Sequence, residues 1–142
     1  MGDIPGTLGE VCVIAILIGA ILLLLFNVID IVIPGMYLLT FSVCILLFAN
    51  RGLDIPFLAA HLAGGGLMLG AWFMATDYVT RPITKCGQVI YGVLLGLLTA
   101  LFRAFGNTAD GVSFAILIGN ICVPLIEKIT YPRPLGRRIK KA

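Results

Sequence analysis

Five apolar stretches of bilayer-spanning length, at about residues 8–27, 31–48, 56–76, 86–105 and 112–129, constrain this chain more than any other feature. A helix needs about 20 apolar residues to cross a hydrocarbon core ~30 Å thick. Inside that core every backbone N–H and C=O must be satisfied within the structure, so runs of this length read as helices. Composition agrees, with 60% of residues hydrophobic and 12% charged, where soluble domains carry about 25% charged residues. Mean hydropathy is +1.09. The expectation is an all-α, polytopic membrane protein forming one membrane domain over residues 1–142, with a basic tail at 130–142. The opening Met1–Gly6 lacks the basic segment of a signal peptide.

Polar punctuation separates the runs. Asn27 and Asp30 close the first, and Pro34 falls in the first turn of the second. Residues 50–54 form a polar turn, Pro56 opens the third run, residues 106–111 follow the fourth, and Pro132 and Pro134 stop the fifth. Orientation follows from Lys and Arg in the short loops. With the C-terminus cytoplasmic, the inner side holds Arg81, Lys85, Lys128, Arg133, Arg137, Arg138, Lys140 and Lys141, and the outer side only Arg51 and Arg103. Five spans then put the N-terminus outside. The net charge of +3 comes mostly from the tail, so it reports topology and contact with anionic lipid, not nucleic acid. Asp30, Asp77 and Glu127 fall at the inner face, and Asp3, Glu10, Asp54 and Asp110 at the outer.

The turn at 75–84 holds the densest chemistry. Asp77 ends the third span, Thr76, Thr80 and Thr84 offer hydroxyls around it, and Pro82 fixes φ. A carboxylate among hydroxyls at a membrane edge suits a hard cation or a polar cofactor group. The competing reading is a helix-ending turn with Asp77 as the next N-cap. Glu127 ends the fifth span on the same side. The two acids either share a vestibule that concentrates cations, or Glu127 pairs with Lys128 or Arg133.

Other residues carry two readings each. Glu10 follows Gly6-Thr7-Leu8-Gly9 and either serves a ligand site or satisfies a helix dipole. His61 with Gly64, Gly65, Gly66 and Gly70 gives the third span a small-residue face for helix packing, or for a planar ring. Arg103 pairs with Asp110 or a lipid headgroup. Pro124 frees the carbonyl of Asn120, which coordinates a cation or marks a kink. Cys12, Cys44 and Cys122 lie in apolar runs as small core residues, and the four cysteines have no metal-ligand spacing.

Several stretches resemble one family. Residues 61–80, with Met74-Ala75-Thr76-Asp77, are similar to the D subunit of the Rnf ion-translocating electron-transport complex. So are Gly6–Glu10, Gly87–Gly92, Arg103–Gly106, Asp110–Leu117 and Asn120–Glu127. A relative of that family is the B subunit of the sodium-pumping NADH:quinone reductase. The resemblance implies one half of an inverted-repeat, urea-transporter-like fold in a prokaryotic cytoplasmic (inner) membrane. It implies a complex that passes electrons between ferredoxin and NAD while moving Na⁺ or H⁺. It further implies flavin (FMN or riboflavin) in the intact complex, other Rnf membrane subunits as partners, and cation uptake at the acids matching Asp77 and Glu127. The family's flavin-attachment motif, Ser-Gly-Ala-Thr, is absent from this chain. The match covers only the family's C-terminal half, so a truncated gene, a fragment or one piece of a split subunit is expected.

The expected cofactor residues are therefore Glu10, His61, Gly65 and Thr76, for non-covalent flavin, and the expected cation residues Asp77, Glu127 and Asn120. The leading function is a membrane subunit of an Rnf-type ferredoxin:NAD⁺ oxidoreductase, acting with partners and not as a catalyst alone. The alternatives are a small-solute channel half of the urea-transporter type and a structural remnant.

Overall fold

A computed structural model describes residues 12–49, 54–64, 66–106 and 111–131. All regular structure among them is helical: α1 (Val13–Leu25), α2 (Val32–Ala49), α3 (Ile55–Ala63), α4 (Leu67–Leu69), a π-helical turn (Gly70–Met74), α5 (Lys85–Gly106) and α6 (Gly111–Thr130). α5 and α6 are each long and apolar enough to cross a membrane, and α3 with Leu67–Met74 meets the same test as a pair bent by 68°. α1 and α2 are shorter apolar helices. At 18 residues α2 still falls within the ~17–25 that spans use, and the residues before Cys12 lie outside the described set.

α2 and α5 run side by side in the same direction, and glycine sets their separation. A Cβ on Gly92 would sit 2.9 Å from Met36 Cβ and 3.0 Å from the Ile33 carbonyl oxygen. One on Gly96 would sit 2.7 Å from both Thr40 Cβ and the Tyr37 carbonyl oxygen. This is the close backbone approach that small residues at i, i+4 permit in membranes. Against the seam, α2 buries Ile33, Tyr37, Phe41 and Ile45, one residue per turn. α5 contributes Tyr91, Leu95 and Ala100 to the same core. The Thr99 hydroxyl donates to the Leu95 carbonyl at 2.8 Å, so the buried Tyr37 hydroxyl is the donor in its 2.7 Å bond to Thr99.

α6 returns antiparallel along α5, with Gly111 beside Phe102 at one end and Gly119 against Leu95 and Tyr91. Pro124 sits inside α6 without ending it, as neighbouring spans allow. Aliphatic side chains remain outside on α1 (Ile14, Ile18, Ile21), α2 (Leu39, Val43, Leu47) and α6 (Leu117, Ile121, Leu125). Apolar surface this continuous belongs against lipid. The chain is a polytopic membrane protein.

The third apolar run departs from the continuous helix expected over 56–76. Gly66 adopts φ 66°, the left-handed region that glycine enters without steric cost, and α3 stops at Ala63. Of the glycines expected to form a packing face on one span, Gly64 and Gly66 instead lie at the break, Gly70 keeps a packing role, and Gly65 lies outside the described residues. A Cβ on Gly70 would collide with Val112, so its bareness lets the π turn lie on α6. Of the cysteines, Cys44 and Cys122 pack against the core, as expected, whereas Cys12 is exposed just before the first turn of α1.

Candidate functional site at the 75–84 turn

The turn between Ala75 and α5 lies where the first turns of α2 and α5 meet the last turn of α6. Thr84 caps α5. Its hydroxyl accepts the Gly87 N–H at 3.1 Å, satisfying one of the four open amides of the first turn. It also donates to Thr130 at 2.8 Å, and Thr130 in turn donates to the Ile126 carbonyl at 2.8 Å. Pro82 is fully buried, and its carbonyl accepts the Gln88 side-chain amide at 3.3 Å. A Cβ on Gly87 would come within 2.9 Å of Pro82 and 2.7 Å of the Thr84 hydroxyl. The turn is therefore pinned to both long spans.

Charge gathers beside it. The Asp30 carboxylate lies 3.2 Å from Lys85 Nζ and 3.4 Å from Arg81 Nη1, while the Arg81 guanidinium lies 4.4 Å from the centroid of the Tyr78 ring. The hydrogen bond from Lys85 holds the Asp30 carboxyl below its ordinary value of 3.8. Burial opposes that shift, and the positive charges of Lys85 and Arg81 reinforce it. Asp30, Tyr78, Arg81, Ile83, Lys85 and Gln88 enclose a pocket of about 240 Å³.

Asp77 and Glu127 both belong to this end. Asp77 is exposed and its carboxylate faces the Val79 N–H at 3.4 Å. Glu127 is half-buried and meets the Ile83 N–H at 3.4 Å, so the turn that carries one acid contacts the other. Both contacts are long, leaving most of the acceptor capacity of each carboxylate open. The hydroxyls do not ring Asp77 as the spacing implied: Thr76 bonds the Trp72 carbonyl at 2.7 Å and Thr84 bonds Gly87 and Thr130. Nor is Asp77 the cap of α5, a place Thr84 takes.

Asn120 lies seven residues before Glu127 on α6, about 10 Å deeper at ~1.5 Å per residue. Its side-chain oxygen accepts the Tyr91 hydroxyl at 2.6 Å. Beside it runs a groove of about 510 Å³, lined by Met74, Ser113, Ile116, Leu117, Asn120 and Ile121. One cation could not touch Asn120 and Glu127 together. Among the described residues no three His, Cys, Asp or Glu converge on a metal position.

Of the expected flavin residues, Glu10 and Gly65 lie outside the described set. His61 Nδ1 is 3.0 Å from the Phe57 carbonyl, and its ring centroid lies 4.2 Å from that of Phe57. Thr76 is 3% exposed, with its hydroxyl committed to Trp72. Both side chains thus serve the backbone four residues earlier, and neither lines either cavity described above.

Two features escape a reading of the sequence. The Asp30 cluster joins residues 51 and 55 positions apart, and only the parallel α2–α5 seam brings them together. The signal for that seam is Gly92 and Gly96 at i, i+4. The second is the role of Arg103, whose expected partner Asp110 lies outside the described residues. Within them, Nη2 of Arg103 donates to the Gly64 carbonyl at 2.6 Å and Nη1 to the His61 carbonyl.

With this geometry in view, comparison with known proteins fixes the family. The NQR2, RnfD, RnfE family profile matches residues 1–136. The chain is 39% identical over 142 residues to the D subunit of the Na(+)-translocating ferredoxin:NAD(+) oxidoreductase complex of Acetobacterium woodii, covering 99% of this chain and 43% of that one. It is 48% identical over 128 residues to the D subunit of the ion-translocating oxidoreductase complex of Citrobacter koseri, covering 88% and 36%. A third relative, the D subunit of the ion-translocating oxidoreductase complex of Actinobacillus succinogenes, is 54% identical over 77 residues, covering 54% and 22%. The chain thus spans less than half the length of the relatives it matches. Sequence and helical architecture together describe a multi-pass protein of the inner membrane, and the chain belongs to the NQR2, RnfD, RnfE family.

Proposed function

We propose that this chain is a membrane subunit of an Rnf-type complex, in which electron transfer between ferredoxin and NAD⁺ drives Na⁺ or H⁺ across the membrane. Its own contribution is to ion passage, and the Asp77–Glu127 end is where the cation enters. The observation that carries this reading is the contact of the 75–84 turn with Glu127, which ties two under-coordinated carboxylates to one end of the α5–α6 pair. Lys and Arg counting makes that end cytoplasmic. Two carboxylates at a low-dielectric edge raise the local cation concentration without forming a closed metal cage. Beyond them, Asn120 and Tyr91 supply polar groups about two helical turns deeper along α6. Flavin carries electrons in the intact complex. The partners are the complex's other membrane subunits and the remaining portion of the D subunit.

Asp77→Asn and Glu127→Gln keep the shape of each side chain and remove its charge. In the assembled complex each variant is expected to raise the cation concentration for half-maximal turnover about five- to tenfold. That factor corresponds to ~1–1.4 kcal/mol, the size of one partly screened charge contact. Size-exclusion chromatography should show intact assembly. Unchanged cation dependence in both variants would sink the entry site.

A further inference from the structure

We propose that the pocket formed by Asp30, Tyr78, Arg81, Ile83, Lys85 and Gln88 binds the headgroup of an anionic phosphodiester lipid bearing a free hydroxyl, of which phosphatidylglycerol is the simplest. The pocket sits at the level of the first residues of α2 and α5, where a bilayer presents its headgroups. Ile83 in its lining is 76% exposed, and Val79, next to the lining residue Tyr78 in the chain, is 89% exposed, apolar surface that acyl chains would cover. At about 240 Å³ it is smaller than the ~300–1,000 Å³ pockets that take drug-sized ligands. That volume suits a headgroup.

Charge and hydrogen bonding select among headgroups. Arg81 and Lys85 contribute two positive charges and Asp30 one negative, leaving +1 for the cluster. One phosphodiester neutralises it. The first-turn amides of α5 point the same way electrostatically, since helix N-termini favour phosphate. Gln88 supplies the second requirement. It is 3% exposed, its amide nitrogen donates to Pro82, and its Oε1 has no partner among the described residues. A buried acceptor without a donor is costly, and a phosphodiester has no proton to give. A headgroup hydroxyl does. Choline has no donor, and ethanolamine has a donor but leaves the cluster's charge unbalanced. The site stands independently of the proposed ion path.

The test is lipid retention by the assembled membrane protein in nanodiscs of phosphatidylglycerol mixed equally with phosphatidylcholine and phosphatidylethanolamine, read by native mass spectrometry. Phosphatidylglycerol should be retained preferentially. Lys85→Gln, at a side chain 68% exposed and therefore safe for folding, should lower its retention about fivefold. That equals ~1 kcal/mol per basic residue at an anionic surface. Gln88→Leu should reduce the preference over phosphatidylcholine. Equal retention of the three lipids, or retention unmoved by Lys85→Gln, would overturn the site. Displacement of the lipid by soluble glycerol phosphate would assign the pocket to a free phosphate ester and overturn the lipid reading.

Discussion

Gly96→Val is expected to separate α2 from α5 and abolish recovery of folded protein, because nothing at that position can yield. Two of the three nearest neighbours of the added Cβ are backbone atoms of α2, the Tyr37 carbonyl oxygen at 2.7 Å and the Phe41 nitrogen at 3.0 Å. A flexible side chain could rotate away, but a helix backbone moves only as a unit. The displacement would also stretch the 2.7 Å bond from Tyr37 to Thr99, leaving the buried Tyr37 hydroxyl without its acceptor while Thr99 keeps its bond to Leu95. Gly96→Ala is expected to cost about 1–3 kcal/mol, the usual scale for overpacking, and valine more. Gly35→Ala is the matched control, since its added Cβ meets nothing within 4 Å. Fluorescence-detected size exclusion and thermal unfolding in detergent read the outcome. A Gly96→Val protein as stable as Gly35→Ala would show that the α2–α5 seam is not the frame of the fold.

Arg103→Ala should release α3 while leaving the α2–α5–α6 frame intact. α3 is nine residues long and fully buries none of them, too short to hold its shape by propensity. Its C-terminal carbonyls, at His61 and Gly64, are instead fastened by the Arg103 fork from α5. Phe41 lies under the same guanidinium, with the ring centroid 5.2 Å away. Hydrogen bonds to charged groups contribute about 1.5–3 kcal/mol each, so losing two is worth on the order of 3 kcal/mol or more. Hydrogen exchange over 55–64 should accelerate about a hundredfold at ~1.4 kcal/mol per decade, with α5 and α6 staying protected. Arg103→Lys keeps the charge but lacks the fork, and should fall between the two. Exchange over 55–64 that does not change would contradict the clasp.

What is legible in the sequence follows from what repeats along it. Apolar runs of bilayer length identify the membrane class and the all-helical character of the described residues, because hydrocarbon imposes one requirement on all of them. Sequence periodicity cannot show that the third segment breaks after Ala63, since glycine serves both close packing and chain reversal. Gly66 at φ 66° takes the second role. Short-range hydroxyl spacing also misleads: Thr76, Thr80 and Thr84 recur every four residues, yet Thr84 turns to α6 and Thr76 to its own helix. The Thr76 hydroxyl takes the backbone carbonyl four residues earlier, a local option open to any hydroxyl whatever its spacing from its neighbours. The Asp30–Arg81–Lys85 cluster is illegible for a different reason. It depends on the parallel seam between helices distant in sequence, which fixes where α2's first turn stands relative to α5's.

The central proposal is that this chain takes part in redox-driven ion transport. The most direct measurement is sodium or proton uptake into inverted membrane vesicles carrying the assembled complex, driven by reduced ferredoxin and NAD⁺, with and without this chain. Uptake should vanish when the chain is removed, return when it is restored, and weaken at limiting cation when Asp77→Asn and Glu127→Gln are combined. Full uptake from vesicles that lack the chain would contradict the proposal.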